Sequence, residues 1–505
     1  MTSQNDTILE HPRMLFFLGF FCFVVGISCW IFSDSTHGVY IWTTIVLSII
    51  FFWGWKRPSI VIFWLIFCFL GFYLSHEENE SRKTALETIK KVTYWFSGSY
   101  TVQGKVERLL YTNNLSHTYR LNIDNIDNRS TKNITDISEK NIGILFEIPK
   151  NLHINIGDTV EYTGKIFDII DPSLDGFSGY TWYHRIYGKS IVPTFKRITK
   201  TEENLLQSIQ NWAKWSIFRW FPENISGIIL WMTIGNIELL SSETKKQFTN
   251  AGITHILVVS GSNIAFVIVI ISGILRYTRI RKWIQMSLII GFVLFYGTLV
   301  GWDMPVIRAV GMWLIIYISL EWWKKSSSIA ILFGVAFCIL IYSPLSLIYD
   351  AGFGLSFAGT LWILLFHLPI QEILQKKHIP RFLSDIISVT LSATLWSMIA
   401  TIYHFWTIPL YTVISNILIG GILWWILFSS MFYFILSLFG WWILYLWWWT
   451  IYLPTLYILT VGEYFWKGYT YTIDEHWIQP ISLFLIGISI SLVFYREKRK
   501  LLQSK

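Results

Sequence analysis

The chain has 505 residues, of which 53% are hydrophobic and 14% charged, whereas about a quarter of the residues of a soluble globular protein are charged. Aromatic residues make up 18% of the chain and include 28 Trp, and these fractions exclude a soluble cytosolic enzyme and favour the bilayer as solvent. The net charge of +8 is compatible with nucleic acid, anionic lipid or membrane topology, and its placement along the chain favours topology.

The first 75 residues are predicted to form a membrane segment of three helices. Apolar runs at residues 14–33, 40–55 and 60–74 each approach the length that crosses a bilayer. No small-residue cleavage site follows the first run, so we expect it to be a retained helix rather than a signal peptide.

Residues 98–197 are predicted to form a small, soluble, all-β domain inserted between membrane segments. Polar residues dominate, and the apolar residues alternate in about five short runs, as strands require. Five strands at this spacing suit an OB-like barrel, and a small antiparallel sandwich has the same signature. The domain has about twelve Lys and Arg against about eleven Asp and Glu, so its composition gives no support for strong DNA affinity.

The remainder of the chain is predicted to return to the membrane. Residues 201–221 have the pattern of an interfacial amphipathic helix, and residues 225–240 form a short, glycine-broken apolar run. About nine crossings follow within a channel domain at residues 225–495, before a basic tail at residues 496–505. Their apolar runs lie near residues 255–275, 283–299, 305–320, 328–341, 350–367, 386–403, 410–438, 441–461 and 481–494. The sequence therefore predicts a polytopic α-helical membrane protein with about twelve transmembrane helices and one inserted β domain.

Basic residues in short loops predict the orientation of these helices. With a cytoplasmic N-terminus, alternating crossings place every short basic loop and the tail in the cytoplasm. The C-terminus is then also cytoplasmic and the β domain extracytoplasmic. This agreement requires residues 225–240 to be re-entrant or interfacial, since one further crossing would invert every later loop.

Polar residues in the run after residue 250 are the first group of functional candidates, because polar side chains are costly in lipid. The group contains His255, Ser260, Gly261 and Asn263. Its members lie on roughly one side of a helix, where they could line a path. Packing of helices through small residues and hydrogen bonds is the alternative interpretation.

A second group of candidates follows Pro305 and Pro344. Arg308 lies about one turn inside its helix, and Asp350, Gly352 and Ser356 begin a later one. A structural ion pair between Arg308 and Asp350 is one interpretation. The other makes Arg308 a phosphate-contacting group at a pore mouth. His404 and Asn416 fall on the same side of the bilayer, and this convergence suggests a vestibule.

Three ordered motifs resemble the ComEC family of competence proteins, inner-membrane channels for single-stranded DNA. They are AGITHILVVSGSN at residues 251–263, PVIRA at 305–309 and DAGFGLSF at 350–357. Two features depart from the family pattern: Asn263 replaces a second histidine, and no metallo-β-lactamase-like domain follows the last helix. The resemblance therefore implies a short form without nuclease activity of its own.

The resemblance implies a transport channel in the bacterial cytoplasmic membrane rather than an enzyme. The expected partners are single-stranded DNA, membrane lipids, a DNA receptor, a cytoplasmic translocation motor, a separate nuclease and further copies of the chain. No phosphate-binding loop is visible, so a partner or the membrane potential would supply the energy.

Two other functions are compatible with the same residues. An intramembrane hydrolase or transferase would use Ser260 or Ser356 as nucleophile and His255 or His404 as base. A transporter of another polymer or of small solutes would share every membrane feature. The four Cys and eleven His show no metal-ligand spacing, so we expect no metal and no cofactor.

Overall fold

The computed structural model describes most of the helices and strands of the chain. It covers residues 12–31, 58–94, 100–112, 116–128, 133–136, 142–149, 152, 154–168, 181, 183–191, 194–200, 205–235, 240–253, 261–278, 280–322, 327–405, 407–409, 411–437, 441–466 and 470–472. The predicted apolar runs at 40–55 and 481–494 and the basic tail at 496–505 lie outside these residues. Every other predicted apolar run contains a helix.

Two N-terminal helices, α1 (Pro12–Ile31) and α2 (Pro58–Tyr94), pack tightly against each other. A Cβ added at Gly26 would overlap a backbone oxygen of α2, and one at Gly71 would overlap a backbone oxygen of α1. Small residues allow such close packing between membrane helices. Helix α2 continues well past residue 75, and its 37 residues rise about 55 Å, more than the ~30 Å hydrocarbon core. Its charged second half leads directly to the β domain.

The β domain contains more strands than the sequence predicted. They are β1 (Tyr100–Thr112), β2 (Ser116–Asn128), β3 (Asn133–Asp136), β4 (Ile142–Pro149), β5 (Thr159–Gly164), β6 (Phe167–Asp168), β7 (Ile186–Ile191) and β8 (Thr194–Thr199). The strand order is β6-β7-β4-β2-β1-β5-β8, with β3 beside β2. Alternate residues such as Val102, Val106, Leu121 and Ile123 are fully buried in one core, as the period of a pleated strand requires.

The predicted OB-like barrel is wrong in one respect, because the sheet does not close. Strand β7 pairs in parallel with β4 near one end of the sheet, and the next strand, β8, pairs with β5 at the other end. No ladder joins β6 or β7 to β8 within the described residues. Strands β7 and β8 are consecutive in the chain but lie near opposite ends of the sheet. A closed barrel would join the two ends of the sheet by hydrogen bonds between strands.

Three short helices link the β domain to the remaining helices. They are α3 (Leu205–Phe218), α4 (Glu223–Ile234) and α5 (Ser242–Asn250). The twelve residues of α4 rise about 18 Å, too short to cross a hydrocarbon core of ~30 Å. Gly235 ends α4 with a φ of 75°, a left-handed conformation that favours glycine. The polar helix α5 was not predicted from the sequence.

The described residues after 260 are almost entirely helical. They form α6 (Gly261–Arg276), α7 (Lys282–Val300), α8 (Met304–Trp322), α9 (Ser328–Tyr342), the single turn α10 (Ser346–Tyr349), α11 (Ala351–Lys376), α12 (Arg381–Phe405), α13 (Thr412–Leu436) and α14 (Trp441–Phe465). A small ladder also joins β9 (Thr407–Pro409) and β10 (Thr470–Thr472). Among the described residues, α7, α11 and α13 have the length and apolar composition of a membrane span. The structure is thus that of a mostly helical membrane protein, and the number of twelve crossings stays a prediction.

Candidate functional site

A cavity of about 1620 Å³ lies between the β domain, the charged end of α2 and the helices α8 to α13. One part of its lining, which we call the rim, comes from α2 and the β domain: Glu78, Arg82, Arg108, Arg120, His184 and Arg185. The other part, which we call the floor, comes from the helices: Arg308, Ser356, Ser397, Thr401 and Asn416. Five arginines and three carboxylates line the whole cavity, so its charge is net positive.

Arg308 is the cation of the floor. It lies one turn into α8, and a Cβ added at Gly261 would lie 3.5 Å from an Arg308 terminal nitrogen, so α6 begins beside the guanidinium. The ion pair with Asp350 that the sequence allowed is absent from the described residues, where Arg308 makes no ion pair within 4.0 Å. A buried cation without a carboxylate is costly in a low-dielectric layer. The floor therefore presents an uncompensated positive charge.

Asp350 and Gly352 shape the cavity wall next to α8. The Asp350 carboxylate accepts a hydrogen bond from the backbone N–H of Phe353 at 3.1 Å and so caps the N-terminus of α11. A negative side chain is favourable at that position because of the helix dipole. A Cβ added at Gly352 would lie 3.0 Å from Asp350 Oδ1 and 3.5 Å from Met304 Cβ, so a larger residue would crowd this corner. Asp350 thus acts as the N-cap of α11.

Ser356 and Asn416 join Arg308 in the floor. Each of the three residues has a buried polar atom with no hydrogen-bond partner in the described protein: Ser356 Oγ, Asn416 Oδ1 and Arg308 Nε. Buried polar groups almost always have a partner, so a partner outside the described residues is expected for these atoms, either from the rest of the chain or from a ligand. The sequence placed all three in one vestibule, and the structure brings them to one cavity.

The candidates of the first motif, residues 251–263, are not brought together in the cavity lining among the described residues. His255 and Ser260 lie outside the described residues, and Gly261 begins α6 beside Arg308. Asn263 is buried and donates a hydrogen bond from Nδ2 to the backbone oxygen of Met232 at 2.6 Å, which joins α6 to α4. Asn263 therefore makes the kind of helix-packing contact that the alternative interpretation anticipated, and it does not line the cavity.

Gly252 shows why the same motif needs a glycine. Its φ is 73°, and an added Cβ would overlap the side chain of Thr412 at the start of α13. The neighbouring Ala251 carbonyl accepts a hydrogen bond from Ser415 Oγ at 2.7 Å. Only a residue without a side chain allows this turn to approach α13 so closely.

The arginines of the rim were missed from the sequence. Arg108 on β1 and Arg120 on β2 are direct cross-strand partners, an arrangement of like charges that is unfavourable by itself. Carboxylates offset part of this charge: Arg108 pairs with Asp303 at 3.1 Å, and Arg120 pairs with Glu107. Counting the charged residues of the whole domain did not reveal this cluster. Pairing the sequence symmetrically about residues 113–115, as in a β-hairpin, would have placed Arg108 opposite Arg120 and so indicated it.

His184 lies within the same group of arginines. Burial is the main cause that lowers its pKa from 6.5 to about 3, and the nearby charges of Arg108, Arg120 and Arg82 lower it further. The imidazole is therefore neutral at physiological pH. A neutral imidazole both donates and accepts a hydrogen bond, so it adds a polar contact to the rim without adding charge.

Glu78 and its neighbours join the rim to the helices. The Glu78 carboxylate accepts hydrogen bonds from Arg82 at 2.6 Å, from Ser343 Oγ at 3.2 Å and from the Leu345 backbone N–H at 3.1 Å. Tyr183, next to His184, lies 2.9 Å from Ser346 Oγ through its hydroxyl. These contacts fix the position of α2 and the β domain over the opening of the helical part.

The described residues contain a serine and histidine pair that is not the one predicted. Ser388 Oγ lies 2.9 Å from His367 Nδ1, and it also donates to the Asp385 carbonyl, as helical serines commonly do. Neither member of the pair lines the cavity. Ser356 Oγ has no hydrogen-bond partner among the described residues, so no described histidine is hydrogen-bonded to it as a base, and His255 lies outside those residues.

Comparisons with known proteins identify relatives of this chain. The family model described as "Competence protein" matches residues 232–500, which is more than half of the chain. ComE operon protein 3 of Bacillus subtilis (strain 168) is 25% identical over 279 residues, which cover 53% of this chain and 34% of that protein. An uncharacterized protein of Aquifex aeolicus (strain VF5) is 31% identical over 126 residues, covering 25% and 29% respectively. The matches span about a third of the length of these curated relatives. No solved structure matches the chain.

Proposed function

We propose that this chain, which belongs to the competence protein family, takes part in DNA uptake for transformation and is the conduit that passes single-stranded DNA across the cytoplasmic membrane. The observation that carries this proposal is the cavity, whose arginines extend from the β-domain rim to Arg308 in the helical floor. Its role is transport, without catalysis by this chain.

The proposal follows from what a polyanion needs in order to cross an apolar layer. Each phosphate requires a hydrated or polar environment and a nearby cation, since an isolated charge is costly in hydrocarbon. Among the described residues, the Arg308 guanidinium has no carboxylate within 4.0 Å, and Ser356 and Asn416 each have a buried polar atom with no hydrogen-bond partner. A guanidinium binds phosphate through two parallel hydrogen bonds. These groups suit a phosphate that passes through.

The orientation proposed for the chain places the β domain outside the cell and both termini in the cytoplasm. The basic loops of the sequence support it, and the short α4 supports it because a helix of this length does not add a crossing. Partners would include a DNA receptor outside, a motor or the membrane potential inside, a separate nuclease and further copies of the chain.

Uptake by proteoliposomes tests the proposal directly. Vesicles containing the purified chain, with an imposed membrane potential, are given fluorescent single-stranded DNA, and protected fluorescence is measured. We expect uptake by the wild type, a fall of about 100-fold or more for Arg308→Ala, and partial recovery for Arg308→Lys, since a lone buried cation contributes several kcal/mol to binding of an anion.

Arg276→Ala is the matched control, because Arg276 is an exposed arginine at the end of α6 outside the cavity. It should take up DNA as the wild type does. Wild-type uptake by a correctly inserted Arg308→Ala protein would overturn the assignment of Arg308. Labelling by a serine-directed fluorophosphonate that is lost in Ser356→Ala or Ser260→Ala would instead favour the hydrolase.

A further inference from the structure

The rim contains a second group of cations, separate from Arg308, at the β-domain end of the same cavity. We propose that Arg108, Arg120, Arg185 and His184 form a binding site for the phosphodiester groups of a single-stranded polynucleotide. The site would hold the strand at the β-domain end of the cavity before it reaches the floor. This inference rests on the proposed function and adds the place where the substrate is first bound.

Two arginines of the rim oppose each other directly. Arg108 and Arg120 face each other across the β1–β2 ladder, where like charges repel. The Arg108 and Asp303 side chains are 44% and 41% exposed, and an ion pair at such exposure is weak and exchanges readily for another anion. The pair of Arg120 with Glu107 is more buried, with side chains 17% and 32% exposed. A phosphate group would relieve the repulsion more directly than either carboxylate, because it could contact both guanidinium groups.

Gly143 on β4 leaves space for the side chain of Arg120 and the backbone of Arg185. A Cβ added at this residue would lie 2.8 Å from Arg120 Nε and 2.9 Å from the Arg185 backbone oxygen. The Gly143 N–H also donates to that oxygen at 2.8 Å. One glycine therefore lets the side chain of Arg120 and the backbone of Arg185 approach the same point on β4. The fold thus brings Arg120 and Arg185 close together, although they are sixty-five residues apart in sequence.

Arg185 has an unusual backbone conformation. Its φ is 52°, in the left-handed region that arginine rarely adopts, and the contact with Gly143 holds it there. Within the described residues its guanidinium has no ion pair within 4.0 Å, yet it lines the cavity. Strained residues of this kind concentrate at binding sites, where the surrounding fold fixes them. Among the described residues, the positive charge of Arg185 is therefore not offset by a carboxylate within 4.0 Å.

The environment of His184 agrees with this picture. Burial is the main cause that lowers the pKa of its imidazole, and the nearby charges of Arg108, Arg120 and Arg82 lower it further. Arg82 is engaged by Glu78 and by the Tyr183 carbonyl, so it supports the group from α2. Phosphate, which accepts several hydrogen bonds and carries a full charge, matches a set of guanidinium donors and one neutral imidazole.

Equilibrium binding to the full chain tests the site. The protein is placed in nanodiscs of phosphatidylcholine, which carries no net charge, and titrated with a fluorescein-labelled oligothymidylate of twenty nucleotides at several salt concentrations. We expect Arg185→Ala to weaken binding about tenfold and to lower the slope of log affinity against log salt by about 0.7, the change for one lost phosphate contact on a single strand. Arg120→Gln, which leaves Glu107 a hydrogen-bond donor, should act similarly.

Arg197→Ala is the matched control, because Arg197 is an exposed arginine of β8 outside the cavity. It should change the affinity less than twofold. Inorganic tripolyphosphate should compete with the oligonucleotide for the wild type and lose this effect in Arg185→Ala, which would show that phosphate is the group bound.

The outcomes separate this inference from the proposed function. Binding that depends on Arg185, in a chain that transports no DNA in proteoliposomes, would support the rim site and contradict the conduit. Transport by the wild type, together with unchanged binding in both Arg185→Ala and Arg120→Gln, would overturn the rim site and leave the conduit standing. Failure of the wild type to bind the oligonucleotide, or equal weakening by Arg197→Ala, would also overturn the rim site.

Discussion

The rim and the floor of the cavity both use arginine, but they compensate its charge in different ways. In the rim, Arg82, Arg108 and Arg120 each have a carboxylate partner and Arg185 has none, whereas Arg308, the one arginine of the floor, has none within 4.0 Å among the described residues. Ion pairs near water cost little to form or to break, whereas charges in a low-dielectric layer interact strongly with anything nearby. Under the proposed function, phosphate could therefore replace the exposed carboxylate partner of Arg108 in the rim, whereas at Arg308 it would meet a cation that no described carboxylate offsets.

Loss of the Glu78 hydrogen bonds that join the rim to the helices should have the largest effect on stability. Glu78→Ala removes the acceptor shared by Arg82, Ser343 and the Leu345 backbone N–H. Breaking a mostly buried pair with several hydrogen bonds typically costs about 3 kcal/mol, so we expect a loss of that size in the free energy of unfolding. Glu78→Gln, which retains an acceptor oxygen, should lose roughly a third as much. Thermal unfolding in detergent micelles measures both, and equal midpoints for wild type and Glu78→Ala would show that this joint does not hold the regions together.

A carboxylate introduced at a buried and at an exposed position of the cavity lining should reveal the difference in dielectric. At ~6 Å from a phosphate, a carboxylate repels it by about 3 kcal/mol at an effective dielectric constant of 20, and by about 0.7 kcal/mol in water. Ser356→Asp in the floor should therefore lower DNA uptake about 100-fold. Tyr342→Asp, at a cavity-lining position at the end of α9 that is 92% exposed, should lower it about threefold. Proteoliposome uptake provides the comparison, and equal losses at the two positions would show that the floor and the exposed lining do not differ in dielectric.

The smallest predicted effect is the dependence of stability on pH through His184. Its pKa in the folded protein is about 3, below the ordinary value of 6.5, so the unfolded chain binds the proton more readily. Stability is complete above pH 6.5 and falls as the pH decreases from 6.5 towards 3. At pH 5 the loss relative to pH 7 should be about 2 kcal/mol.

His184→Gln should lack this part of the pH dependence while it retains a polar side chain in the rim. Unfolding of wild type and variant at pH 7 and pH 5 measures the difference. A wild type and a variant that lose the same stability over this interval would contradict the assignment to His184.

Much of the helical architecture was predictable because apolar runs of sufficient length have few alternatives. The runs at residues 283–299, 305–320 and 328–341 correspond closely to α7, α8 and α9. The secondary structure and the strand pairing were predicted less completely where the spacing of apolar residues does not determine them. Helix α5 is polar, and the chain between β7 and β8 links two ends of the sheet that a barrel would join by hydrogen bonds. Such pairing depends on contacts distant in sequence.

The candidate site was predicted in part, for a related reason. Arg308, Ser356 and Asn416 are polar residues in apolar runs, so the cost of placing them in lipid marked each of them individually. Asn263 met the same criterion but joins α6 to α4 through Met232. A polar residue in a membrane helix satisfies its hydrogen bonds either with a neighbouring helix or in a cavity, and local sequence does not distinguish the two.

The sequence by itself determined the membrane class of this protein, most of its long helices, its family motifs and the position of Arg308 in a helix. The physical reason is that these features depend on local composition, period and spacing. Only the tertiary structure decided that arginines from α2, β1, β2 and the turn before β7 meet at one rim, and that Asp350 caps α11 instead of pairing with Arg308. Those outcomes depend on which strands pair and which helices touch, and on the dielectric environment that this packing creates around each charge.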